Sequence, residues 1–120
     1  MNIIVYHNIE CSKSNSVTEI LEEAGIPFQV RNYMLQPLNT NELRELLAKL
    51  NVEPIELVRK GEQVYKDQYE GKNISAEEWI EVLAANPILI ERPVVQKDGK
   101  AIIARPPEKV KTFINFNSPA

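Results

Sequence analysis

The amino-acid sequence predicts a single domain of mixed α/β class. It begins with a strand, a helix and a second strand, continues with a block of helices, and ends with a β-hairpin and a final helix. A chain of 120 residues suits one hydrophobic core and is too short for two ordinary domains. We therefore expect residues 1–120 to form one domain, whose two ends are joined by a helical insertion at about 38–88.

The first part of the chain has the pattern of a β-α-β unit. The β-branched run "NIIVY" (2–6) predicts a strand, and the alternating "FQVRNY" (28–33) predicts a second. Between them, "SVTEILEEAGI" has apolar residues at helical spacing, and Gly25 is placed to end that helix. The apolar positions are Val17, Ile20, Leu21 and Ala24. The two strands should run parallel, because a helix joins them.

The middle of the chain is predicted to be helical. "NTNELRELLAKLN" (39–51) begins with capping residues and carries four leucines on one face, and "EPIELVRKGE" (53–62) predicts a shorter helical piece. "SAEEWIEVLAAN" (75–86) has the spacing of a capping box, with Ser75 followed three residues later by Glu78. Pro87 should stop this helix.

The last part of the chain predicts a hairpin and a helix. "PVVQ" and "AIIA" flank "KDGK", whose Asp98-Gly99 pair is a strong hairpin signal. The prolines at 106 and 107 suit the first turn of a final helix that runs to about Phe116.

Composition excludes several classes of protein. The chain has 14 basic and 17 acidic residues, a net charge of −3, so no basic surplus indicates a nucleic acid or an acidic membrane as partner. The sequence shows neither a run of apolar residues that could span a bilayer nor a signal peptide, so we expect a cytoplasmic protein. A single cysteine cannot form an internal disulfide or a multi-cysteine metal site, and we expect no metal.

That cysteine, Cys11, lies where the first strand gives way to the first helix. A helix N-terminus favours a thiolate over a thiol, and Lys13 or a protonated His7 can add to this effect. Read as C-x-x-S with Ser14, the site can attack an electrophile but needs an external thiol to resolve the adduct. The structural alternatives are a small buried cysteine and a hydrogen-bonded histidine.

Three arginines lie in contexts that suit an oxyanion. Arg59 lies in the segment "ELVRKGE", while Arg92 and Arg105 each stand directly before a proline at the two ends of the predicted hairpin. Guanidinium groups match tetrahedral oxyanions bidentately and stabilise charge that develops on them. Pro93 is a candidate for a cis peptide bond beside a site. Solvated surface arginines and an ordinary trans proline are the alternatives.

Four separated segments resemble the landmarks of the ArsC-type arsenate reductases. They are "YHNIECSKSNSVTEIL", "LVRKGE", "NPILIERPVV" and "ARPPEKV", which match in order and spacing over residues 3 to about 114. Members of this family are glutathione- and glutaredoxin-coupled proteins of the thioredoxin superfamily. The resemblance implies a thioredoxin-like fold, which is a small mixed four-stranded sheet flanked by helices, and a cis proline at Pro93.

The resemblance also implies a reaction and its residues. Cys11 would attack arsenate, glutathione would act as co-substrate, and glutaredoxin would clear the mixed disulfide, with no bound cofactor and a monomeric protein. The implied oxyanion-binding residues are Arg59, Arg92 and Arg105, and the implied supporting residues are His7, Asn8, Ser14 and Pro93. His7 matches a histidine that tunes the thiolate.

Two positions differ from the first loop of that family, which commonly reads H-N-P-x-C-x-x-S-R. Ile9 replaces the proline and Asn15 replaces the arginine, which makes the predicted anion site less cationic. Two alternatives therefore remain. One is a thiol-dependent reductase with another substrate, and the other is a non-enzymatic regulator that docks on RNA polymerase.

Overall fold

The computed structural model describes residues 2–7 and 12–117, with side chains at 2–7 and 15–114. The strands in these ranges are β1 (Ile3–His7), β2 (Gln29–Asn32), β3 (Val94–Lys97) and β4 (Lys100–Ile103). The helices are α1 (Ser12–Glu23), α2 (Thr40–Leu50), α3 (Gln63–Gln68), α4 (Ala76–Ala85) and α5 (Lys109–Asn117). Short 3-10 turns lie at Pro54–Leu57 and Pro87–Leu89. None of the helices described is long and apolar enough to cross a membrane.

The chain divides into two compact units. The first comprises Met1–Tyr33 with Arg92–Ala120, and the second comprises Met34–Glu91. The β-α-β segment, the hairpin and the final helix thus belong to one unit, and the helical middle of the chain forms the other. That all 120 residues act as one domain stays a prediction.

The first unit is built on a mixed four-stranded sheet in the order β2-β1-β3-β4. β1 runs parallel to β2, with Val5 opposite Val30, and antiparallel to β3, with Tyr6 opposite Val94. β3 and β4 are antiparallel neighbours. The predicted fold class and the predicted parallel β-α-β pairing are therefore confirmed.

One face of this sheet carries the core of the first unit. Val5 on β1 and Val95 on β3 are fully buried and pack with residues of α1 and α5. The other buried members of this cluster are Ile3, Val17, Leu21, Ala104, Val110, Phe113 and Ile114. Val17 and Leu21 are two of the positions whose helical spacing predicted α1, so the sequence pattern marks the face that packs on the sheet.

The hairpin lies where the sequence predicts it, but the final helix starts later than expected. Asp98, at the turn, has a φ of 53°, a left-handed conformation that Asp tolerates better than most residues. α5 begins at Lys109 rather than at the two prolines, which is a correction. The segment before it forms a turn, in which the N–H groups of Lys109 and Val110 donate to the carbonyls of Pro106 and Pro107 at 3.1 Å.

The second unit contains the two capped helices that the sequence predicts. Asn39 caps α2 in a complete capping box, since its Oδ1 accepts from Glu42 N at 2.8 Å and Glu42 Oε1 accepts from Asn39 N at 3.1 Å. Ser75 caps α4 by accepting from Glu78 N at 3.2 Å. α2 packs against α4, and Leu43 and Leu83 are fully buried.

The helical prediction for residues 53–62 was wrong beyond its first turn. Only Pro54–Leu57 form a 3-10 turn, and Val58 then pairs with Ile90 in an isolated antiparallel bridge. The sequence analysis also missed α3, a helix with no buried residue. Trp79 on α4 has the ring of Tyr65 stacked at 6.2 Å and that of Tyr69 tilted at 5.6 Å.

Candidate active site

Several predicted site residues lie at one end of the sheet in the first unit. His7 is the last residue of β1, and its neighbour Tyr6 pairs with Val94, the residue after Pro93. His7 and Pro93 are therefore at the same sheet end. α1 begins at Ser12. Cys11 and Asn8, the predicted nucleophile and one of its supporting residues, lie outside the described residues, and Ser14 is described only as part of α1.

His7 is buried and has an unusual electrostatic environment for an imidazole. Only 8% of the residue is exposed, and its Nδ1 atom is buried without a hydrogen-bond partner among the described residues. Burial lowers the pKa of His7 below 6.5, because desolvation disfavours the charged form. The neutral form of His7 therefore predominates at pH 7, and in that form the imidazole acts on a thiolate only as a dipole or as an N–H donor.

Arg92 and Arg105 are brought together at the base of the hairpin. Arg105 Nη1 donates to the carbonyl oxygen of Arg92 at 3.3 Å, and Ala104 N donates to the carbonyl of Pro93 at 2.8 Å. Both arginines are partly buried, and the Nε and Nη1 atoms of Arg92 are fully inaccessible to solvent. The Arg105 guanidinium is thus held against the backbone of Arg92, and both residues lie next to the sheet end that also carries His7.

Both of these arginines precede cis peptide bonds. The Arg92–Pro93 bond is cis, which confirms the predicted geometry, whereas the functional role of Pro93 stays a prediction. The Arg105–Pro106 bond is also cis, which the sequence analysis did not anticipate.

Arg59 belongs to the second unit and is surrounded by acidic side chains. Its Nη1 donates to Glu91 Oε1 at 3.4 Å, and its Nε lies 3.4 Å from Glu62 Oε1. The contact at Nε is an attraction between charges without the alignment of a hydrogen bond, because that atom has no hydrogen-bond partner among the described residues. The structure therefore places Arg59 between two carboxylates.

Glu62 and Glu91 are the residues that sequence reasoning missed. Both lie inside segments that carried the family resemblance, but no role was drawn from either one. The i,i+3 spacing of Arg59 and Glu62 is a local signal that could have indicated the first contact. The contact with Glu91 spans 32 residues and has no local signal. Among the described residues, no group of three or more His, Cys, Asp and Glu side chains is arranged to hold a metal ion.

Comparison with known proteins agrees with this architecture. A mixed sheet in the order β2-β1-β3-β4, with a cis proline opening β3 and helices inserted after β2, defines a thioredoxin-like α/β protein. The chain belongs to the ArsC family, whose sequence model matches residues 6–113.

Relatives of similar length support the assignment to this family. The uncharacterized protein YfgD of Escherichia coli strain K12 is 40% identical over 112 residues, which cover 92% of this chain and 94% of the relative. The arsenate reductase of Haemophilus influenzae is 34% identical over 112 residues, with coverages of 92% and 97%. The solved structure of the arsenate reductase from Vibrio cholerae superposes with a TM-score of 0.88 at 36% identity, covering 92% of this chain and 96% of that one.

Proposed function

We propose that this protein reduces arsenate to arsenite through Cys11, with glutathione and glutaredoxin as external thiols. The observation that carries the proposal is the similarity, over more than nine-tenths of the chain, to arsenate reductases of nearly the same length. The lone cysteine is consistent with it, because an enzyme with one cysteine needs a thiol from another molecule to complete a redox cycle.

The proposed reaction begins with a nucleophilic attack. The Cys11 thiolate attacks the arsenic atom of arsenate, a sulfur–arsenic bond forms, and an oxygen leaves as water after protonation. Arg92 and Arg105, whose connection is a 3.3 Å hydrogen bond, would stabilise the negative charge on the arsenate oxygens, and Arg59 would contribute from the helical insertion. Asn8, Ser14 and the neutral His7 would support the thiolate.

A second thiol then completes the electron transfer. Glutathione thiolate attacks the Cys11 sulfur, the sulfur–arsenic bond breaks, and its electron pair stays on arsenic, which falls from the +5 to the +3 state. The product on the protein is a mixed disulfide between Cys11 and glutathione. A glutaredoxin thiol attacks the glutathione sulfur and restores the Cys11 thiolate. Two thiols are oxidised to one disulfide for each arsenate reduced.

The test is arsenate-dependent oxidation of NADPH, coupled through glutathione reductase, glutathione and glutaredoxin. The wild type should turn over, and Cys11→Ser should not. Reactions without glutaredoxin or without glutathione test the coupling separately. If the wild type is inactive while Cys11 still reacts readily with an alkylating agent, the substrate is another one. If Cys11 is inert as well, a binding protein that does not use the thiol is favoured.

A further inference from the structure

The backbone around Arg59 is paired with the segment that leads into Arg92. Val58 and Ile90 form an isolated antiparallel bridge. Arg59 N donates to the carbonyl of Leu89 at 2.7 Å, and Glu91 N donates to the carbonyl of Leu57 at 2.6 Å. Arg59 and Glu91 are thus diagonal neighbours across a short two-stranded pairing, a separation that long side chains can bridge.

The side chains of Arg59 and Glu91 are in contact across this pairing, and Glu62 contacts the same guanidinium. Glu91 and Glu62 contact two different nitrogens of the Arg59 guanidinium, Nη1 and Nε, each at 3.4 Å. All three side chains are mostly covered, with exposures of 22% for Arg59, 24% for Glu91 and 27% for Glu62. The hydrogen bond to Glu91 uses Nη1, so the two N–H donors of Nη2 lie outside that hydrogen bond.

We propose that Glu91 is a positioning residue that holds the Arg59 guanidinium so that Nη2 can bind the oxyanion substrate. The inference rests on the proposed function, because it takes Arg59 to be an oxyanion-binding residue. An arginine side chain has many rotamers, and fixing one of them when a ligand binds costs conformational entropy. A carboxylate that fixes the rotamer beforehand removes part of that cost from binding. Glu91 is suited to this role because its own backbone is fixed by the hydrogen bond from its N–H to the Leu57 carbonyl at 2.6 Å.

If Glu91 instead competed with the anion for Arg59, its removal would have the opposite effect on arsenate affinity. A carboxylate beside an arginine can compete with an anionic ligand, and removing its negative charge should then strengthen binding. The variant Glu91→Gln removes the charge at nearly constant size. If binding becomes weaker although a negative charge has been removed, the loss comes from the position of the guanidinium and not from the local potential.

The experiment is a double-mutant cycle between Glu91→Gln and Arg59→Met, with affinity for inorganic arsenate measured by the rise in thermal stability on titration. Arg59→Met keeps an unbranched apolar stem. Glu77→Gln is the matched control, because Glu77 also pairs with an arginine of the same unit, Arg44, at 2.9 Å and its loss changes the net charge equally. We expect Glu91→Gln to weaken binding about three- to fivefold, the effect of losing one partly covered ion pair.

In the Arg59→Met background, Glu91→Gln should have no further effect on affinity, and Glu77→Gln should have none in either background. Tighter binding by Glu91→Gln, or the same loss with and without Arg59, overturns the inference. So does a wild type that binds no arsenate. Reduction is measured separately by the NADPH assay. A wild type that binds arsenate without reducing it would therefore refute the proposed function and leave the cycle to decide the role of Glu91.

Discussion

The buried, neutral state of His7 predicts a specific dependence of stability on pH. Its pKa is lowered by burial in the folded chain, whereas the unfolded chain has the ordinary value of 6.5. Below pH 6.5 the unfolded state therefore binds more protons at this position than the folded state does. Linkage then requires the free energy of unfolding to rise with pH in this window. The stability is fully present above pH 6.5 and is lost as the pH falls through the lowered pKa.

The size of this effect has a firm upper limit. One proton taken up only on unfolding changes the free energy of unfolding by about 1.4 kcal/mol per pH unit. With the residue only 8% exposed and its Nδ1 unpartnered among the described residues, little solvent is available to stabilise the imidazolium in place. We expect a positive slope below pH 6.5 that stays under this limit.

The assay is urea unfolding of the wild type and of His7→Gln, followed by circular dichroism at intervals between about pH 7.5 and 5. Other groups titrate equally in both proteins, so the difference between the two curves isolates His7. The free energy of unfolding of the wild type minus that of His7→Gln should be constant above pH 6.5. It should decrease as the pH falls below this value. Two curves that stay parallel over the whole range would mean that the pKa of His7 is the same in the folded and unfolded chains.

Three further predictions concern the site and the insertion. Arg92→Ala should reduce kcat/KM for arsenate about ten- to a hundredfold, the loss expected for hydrogen bonds to a charged ligand; Arg31→Ala, on β2 of the same unit, is the control, and equal kinetics in the two variants would remove Arg92 from the site. Cys11 should alkylate with a midpoint below about pH 8.5, the value of an unperturbed thiol, and a midpoint at or above it would contradict an activated thiolate. Asn39→Ala should lower the stability of the chain by about 1 kcal/mol in urea unfolding, because the capping box with Glu42 is lost, and an unchanged midpoint would show that this cap contributes nothing.

Elements whose cause is local were predictable from the sequence. α2 runs over Thr40–Leu50, within one residue of the predicted segment at each end, because its cap and its leucine spacing lie inside the helix itself. The hairpin strands likewise agree closely with the prediction, since their register depends on the turn at Asp98. In both cases a few neighbouring residues determine the structure.

Elements that depend on distant partners could not be predicted in this way. The sequence at 53–62 predicts a helix, but the helical turn ends before Val58. Val58 instead pairs with Ile90, 32 positions away. α3 has no buried residue, so it carries no apolar periodicity from which it could have been predicted. The same limit applies to the candidate site. The sequence indicates which arginines suit an oxyanion, but the contact of Arg105 with the Arg92 carbonyl exists only in the folded chain.

The distribution of charge places the three arginines in two different environments. Residues 34–91 contain 11 acidic and 6 basic side chains, a net charge of −5, whereas the other residues contain 6 acidic and 8 basic ones, a net charge of +2. Arg92 and Arg105 therefore belong to a unit whose overall charge favours an anion. Arg59 belongs to an acidic unit and has two carboxylates within 3.4 Å, so the proposal that it binds an anion depends on the direction of its N–H groups. We therefore expect loss of Arg92 to change the electrostatic potential at the site, and loss of Glu91 to change the position of the Arg59 guanidinium.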